Sequence, residues 1–243
     1  MNYSFTGFAY LILFFALGFL AYRLFQYWQR EKDIVSKLLF IFTALFSLFA
    51  LIKTIGGLFF ANDQAFLVGT INIGAFIQVP AFAAIAYFVI YVKFPKISPL
   101  WGVIPIFVLG LVAATLTVAT PSYPFLEESG AITWGFSLGL SSILRFFLFF
   151  VIFIPGVVIF FQQFRTSKNP YVKRKALGLT LSLIFALLFT CFDFLLIGLL
   201  KLDPIWRDIC SIIIGIILFI TLLLTLPRPL PKSSYYIKSS EKL

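Results

Sequence analysis

Three ionisable residues stand inside apolar runs of this chain: Lys53, Arg145 and Asp193. A charge inside hydrocarbon is costly, so it marks a functional site or a buried pair. Asp193 follows Thr190 by three residues, and steps of four back from Thr190 meet Ala186, Ser182 and Gly178. Such a stripe of small residues lets helices approach closely, and it turns Asp193 toward its neighbours. At 1.5 Å per residue, Asp193 lies roughly 10 Å from the outer end of its segment and Arg145 roughly 13 Å from the outer end of its own. Ser141 and Ser142 precede Arg145 by one turn, and Gly135 and Gly139 form a small-xxx-small pair ahead of them. Lys53, beside Thr54, Gly56 and Gly57, is shallow enough for its stem to snorkel outward.

Four further polar residues extend the set toward the same side. Asn72 and Gln78 lie in the third apolar segment, and Arg207 and Asp208 open the last. The seven describe a polar pocket or network opening outward. Its buried core holds two cations and one carboxylate. The surplus positive charge is neutralised by Asp208, by Glu127 or Glu128, or by a bound anion. The competing reading is purely structural: Asp193 pairs with Arg145 or Lys53 and fixes helix packing. A proton or ion pathway needs acidic groups at several depths, and the inner halves of the segments have almost none, which argues against a pump or channel.

Other chemistries are excluded by residue type. The chain has no histidine, which removes His-ligated haem, His-containing zinc sites and His-based acid/base catalysis. Cys191 and Cys210 both fall inside apolar runs and do not make a disulfide framework. Ser141 and Ser142 have neither a histidine partner nor a nucleophile elbow around them. No cofactor and no enzyme activity is expected.

The elements that must position these residues follow from composition. Of 243 residues, 61% are hydrophobic and 12% charged, against nearly half apolar and about a quarter charged in soluble domains. The mean hydropathy is +1.06. Lipid must replace water as solvent for most of this surface. A span needs about 20 mostly apolar residues, and seven segments qualify, near 5–27, 34–60, 66–92, 100–119, 136–164, 175–200 and 205–226. The expected fold is an all-α integral membrane bundle of seven transmembrane helices, residues 1–226, with a short basic tail over 227–243. The first segment lacks a basic n-region and a cleavage site, so it is expected to remain as a span.

The connectors carry alternating charge. The net charge of +10 therefore reads as topology, not as nucleic-acid binding. Fifteen basic residues fall on one side, among them Arg165, Lys168, Lys173, Arg174 and Lys175, and two on the other. The positive-inside rule then puts the N-terminus outside and the C-terminus in the cytoplasm, with the cell membrane as the location. The longest outer connector, about Pro121 to Gly135, is expected to form a partly ordered lid with Trp134 at the membrane interface. Trp28, Trp101 and Trp206 near other span ends fit an aromatic belt. Pro80, Pro105 and Pro155 lie within spans without implying a gate.

The basic connector Asn169-Pro170-Tyr171-Val172-Lys173-Arg174-Lys175, running into an apolar helix with Asp193, resembles the seven-helix N-terminal sensor region of histidine kinases. The resemblance implies a sensing or ligand-binding membrane module. About seventeen residues follow the last span, so a signal would pass to a separate partner. A lysine in the last span, which would hold retinal in a microbial rhodopsin, is absent. The leading expectation is a non-enzymatic sensor or receptor-like module for a small ligand, embedded in the bilayer beside a membrane-protein partner. The alternatives are a structural or accessory subunit of a larger complex, and a small-solute transporter.

Overall fold

A computed structural model of the chain describes residues 4–135, 139–194 and 200–226. It contains seven long helices, α1 (Phe5–Glu31), α2 (Ile34–Phe59), α3 (Gln64–Lys93), α4 (Leu100–Ala119), α5 (Leu140–Thr166), α6 (Pro170–Phe192) and α7 (Pro204–Thr225), with a two-stranded hairpin, β1 (Phe125–Leu126) and β2 (Ile132–Thr133), between α4 and α5. All seven helices are long and apolar enough to cross a membrane. The basic tail expected over 227–243 lies outside the described residues.

Local chemistry sets most helix starts. The side chains of Ser4, Asp33, Asp63, Asn169 and Asp203 accept hydrogen bonds from the first-turn amides of α1, α2, α3, α6 and α7, the usual way an orphan amide is satisfied. Pro170 and Pro204 occupy the first helical position, where a missing N–H is harmless. The Asn169-Pro170 pair therefore starts the sixth helix five residues before the expected 175, and regular α-helix ends at Phe192. Asp193 is thus the C-cap, entering a wider π-type turn with Phe194, and not a residue well inside a continuous span. The part of the sixth segment at 195–199 lies outside the described residues.

The fifth helix begins at Leu140, not 136, and residues 136–138 lie outside the described set. Gly135 stands before it at φ 66° and Gly139 is its N-cap, so the two glycines do not form a packing stripe on α5. The remaining boundaries depart from expectation by only a few residues.

Consecutive helices pack side by side, α1 meets α7 to close the ring, and α3 reaches across to α5. α1 and α2 cross backbone to backbone: a Cβ added at Gly57 would stand 2.6 Å from Gly7 Cα. Ser4 reinforces this crossing by donating from its hydroxyl to Gly57 O at 2.7 Å. The core is aromatic and aliphatic, with Phe42, Phe82, Phe149, Phe153 and Leu148 buried. Phe149 and Phe153 stack at 3.8 Å between centroids. Apolar side chains also cover the outside, among them Phe15, Trp101 and Leu224, as a lipid-facing bundle requires.

The α4–α5 connector is more ordered than expected. Its strands pair antiparallel, Phe125 with Thr133 and Leu126 with Ile132. Gly130, at φ 79°, makes the turn by donating to Glu127 O at 2.9 Å, a backbone geometry that favours glycine. Ala131 and Ile132 are fully buried. The hairpin is a plug seated in one end of the bundle. The Trp134 ring faces inward, over Lys53.

Candidate functional site

A cavity of about 320 Å³ runs down the middle of the bundle, with lining residues from all seven helices and from the plug. Its two ends differ in chemistry. Near the plug stand Tyr10, Lys53, Gln78, Ser122, Trp134, Ser141, Ser142, Arg145, Thr190 and Asp193. Toward the opposite end the walls are Leu17, Leu20, Leu24, Leu39, Phe42, Phe153, Phe160, Leu179 and Leu183. Beneath them Tyr27 is fully buried and Phe88 stacks on Phe160 with ring centroids 5.1 Å apart.

Lys53 comes from the last two turns of α2 and is 5% exposed. It does not snorkel. Its ammonium lies 3.4 Å from the centroid of the Trp134 ring, a cation–π contact worth about 2 kcal/mol when desolvated. The contact does not replace the hydrogen bonds the ammonium had in water. The ion pairs among the described residues are Lys175–Glu31 and Arg207–Asp208, and neither involves Lys53. Trp134 Nε1 is itself buried with no acceptor among the described residues.

Arg145 sits one turn into α5. Its Nε donates to Ser141 O at 3.4 Å, a long bond, and no carboxylate among the described residues pairs with it. The α5 N-terminus around it has neither a side-chain cap nor an acidic residue in its first turn. Ser141 and Ser142 are buried there at the cavity wall. A helix N-terminus left in this state is attractive to anions.

Asp193 lines the same cavity. No ion pair joins it to Lys53 or Arg145 among the described residues, so the simple buried pair that the sequence allowed is absent there. The small-residue stripe behaves as expected in direction: Ser182, Ala186, Thr190 and Asp193 all face the cavity. Gly178 instead meets α7, where an added Cβ would clash with Thr225 Oγ1.

Arg207 and Asp208 belong to a different construction. They form a buried ion pair at 2.7 Å, with both side chains at most 4% exposed. Asp208 also accepts from the Thr6 hydroxyl, Thr6 Oγ1 accepts from Ile132 N at 2.7 Å, and Arg207 Nη2 donates to Ile132 O at 3.0 Å. Phe5 N donates to Gly130 O at 2.7 Å. These bonds clasp the hairpin to the N-termini of α1 and α7. Every charge in the clasp has a partner, which suits a structural role, and Asp208 is not free to neutralise the cavity. Glu127 accepts from Thr133 at 2.7 Å within the plug, and Glu128 is exposed.

The seven residues singled out in the sequence therefore divide. Lys53, Gln78, Arg145 and Asp193 meet at one cavity, Arg207 and Asp208 hold the plug, and half-buried Asn72 is in neither group. Tyr10, Thr6 and the inward role of Trp134 were not foreseen. Nothing in their spacing marks them, because their partners lie more than a hundred residues away in several cases. Among the described residues no group of His, Cys, Asp or Glu could hold a metal ion.

The fold and cavity define a multi-pass helical membrane protein with a charged central chamber. No family model, no curated protein and no solved structure matches the chain.

Proposed function

We propose that the protein is a non-enzymatic, receptor-like membrane module that binds an anionic ligand in its central cavity and relays occupancy to a separate protein partner. One observation carries this reading: a buried lysine, Lys53, and a half-buried arginine, Arg145, face a single cavity without an ion-pair partner among the described residues. Leaving a charge buried and unpaired costs several kcal/mol, and a bound anion removes that cost. Lys53 and Arg145 against Asp193 leave one formal positive charge, which a monoanion balances. The uncapped α5 N-terminus and the orphan indole N–H of Trp134 add donors on the same side.

In this reading the plug end is extracellular and the α1–α2, α3–α4 and α5–α6 connectors are cytoplasmic, from their excess of Lys and Arg. The protein sits in the cell membrane, and the ligand enters from the plug side.

The test is thermal unfolding of the protein in lipid nanodiscs with carboxylates of varied length at fixed ionic strength. At saturation near a hundredfold over Kd the midpoint should rise by roughly 5–10 °C. Lys53→Met and Arg145→Gln should each remove the rise, whereas Asp193→Asn, which deletes the opposing charge, should increase it. A rise that is the same in all three variants would sink the reading.

A further inference from the structure

The anion site is only the upper end of a longer chamber. From Tyr10 to Leu24 along α1, and from Lys53 to Leu39 along α2, the lining extends about 21 Å at 1.5 Å per residue. Below the charged end the wall is mostly aliphatic and aromatic, with Phe42, Phe149, Phe153 and Leu183 facing inward; the hydroxyls of Thr43 and Ser182 there donate to carbonyls of their own helices, Leu39 O and Gly178 O. A small hydrophilic anion would leave that length unfilled. From this geometry we infer that the ligand is a single-chain amphiphile: a monoanionic head lies between Lys53 and Arg145, and an unbranched apolar tail runs down the chamber toward Leu24 and Phe160. The inference rests on the anion-binding reading above and specifies the rest of the molecule.

Volume limits the tail. An apolar cavity of about 150 Å³ holds one benzene. The chamber, at about 320 Å³, is about twice that size, so it takes a tail on the order of a dozen carbons. A two-chain phospholipid does not fit. Charge limits the head, because the cavity's one surplus positive charge matches a carboxylate or a sulfate monoester and not a dianion. The chemistry is that of a free medium-chain fatty acid or of an equivalent single-chain anionic surfactant-like metabolite.

The experiment measures binding of dodecanoate to the full chain in nanodiscs of a neutral phospholipid, by midpoint shift and by native mass spectrometry for stoichiometry. One dodecanoate per chain is expected. Affinity referred to free ligand should rise roughly fourfold per methylene from butyrate to dodecanoate and then level off or fall as the tail outgrows the chamber. Dodecanol, with the same tail and no charge, should bind at least tenfold more weakly. Leu39→Trp, which fills the far end of the chamber, should move the optimum to shorter tails while leaving the response to butyrate in place. Arg145→Gln should weaken every carboxylate alike.

The outcomes separate the two readings. If butyrate or inorganic phosphate stabilises as strongly as dodecanoate, the anion site stands and the amphiphile inference falls. If dodecanol equals dodecanoate, or if dioleoyl-phosphatidylglycerol binds and dodecanoate does not, the amphiphile inference falls as well. If no anion of any length binds, both fall together. Should Leu39→Trp not fold, the chain-length optimum in the wild-type protein decides alone: a monotonic rise through octadecanoate overturns a chamber of limited length.

Discussion

Lys53 sets its amine against an aromatic face, buried in the bundle and without a carboxylate ion-pair partner among the described residues. A bound anion would offset the cost of burying a cation there. Removing it should then cost function and not stability. In Lys53→Met the apolar stem is kept, a sulfur–aromatic contact with Trp134 worth about 0.3–1.5 kcal/mol partly replaces the cation–π contact, and the desolvation cost of the ammonium disappears. The ligand-free variant should unfold at the same temperature as the wild type or a few degrees higher, with anion-dependent stabilisation gone. A ligand-free midpoint several degrees lower would mean that Lys53 holds the bundle together and has a structural role. Asp193 offers the opposite case. Asp193→Asn should leave the fold intact and tighten carboxylate binding, measured as a leftward shift of the titration midpoint.

Between elements, the clasp and the α1–α2 crossing do most of the positioning. Arg207, Asp208, Thr6 and the Ile132 backbone form one connected network, and such networks break as a unit. Arg207→Ala should destabilise by about 3–5 kcal/mol, because it strands a buried carboxylate. The loss should be partly recovered in Arg207→Leu/Asp208→Leu, since both charges are then removed together; a double variant worse than the single would refute the stranded-charge account. At the crossing, Gly57→Val should cost roughly 1–3 kcal/mol by overpacking against Gly7, read as a lower unfolding midpoint in nanodiscs. These two devices also show what could be read before the structure. Seven helices were readable because an apolar run of span length has one outcome in lipid. The inward stripe from Ser182 to Asp193 was readable because helical spacing fixes which residues share a face. The start of α6 was misplaced because Lys173, Arg174 and Lys175 read as a loop, whereas Asn169-Pro170 caps a helix that carries those charges on its first turns. The plug was beyond reach: strands of two residues carry no period, and its bonds to Thr6 and Arg207 join positions far apart in sequence. The cavity was unreadable for the same reason, since its lining is contributed by every helix and exists only once the ring has closed.

For the whole molecule, the two ends differ in charge, and orientation follows from that difference. Arg30, Lys32, Lys93, Lys96, Arg165, Lys168 and Lys173 stand at the end away from the plug, while the plug end carries Asp63, Glu127, Glu128 and Asp203 with Lys201. Short connectors rich in Lys and Arg stay in the cytoplasm, so the plug should face out. Orientation decides what the cavity samples, because the polar end and its clasped hairpin then meet the extracellular phase and the apolar end points to the cytoplasmic leaflet. The prediction is tested in intact cells with Cys191 and Cys210 replaced by alanine and single cysteines placed at exposed Glu128 or exposed Lys168. A membrane-impermeant maleimide should label Glu128→Cys in intact cells and Lys168→Cys only after permeabilisation. The reverse pattern would put the cavity's charged end toward the cytoplasm, and the source of its ligand would have to be intracellular. Labelling of both positions in intact cells would contradict a single membrane span, α5, between the two tested connectors.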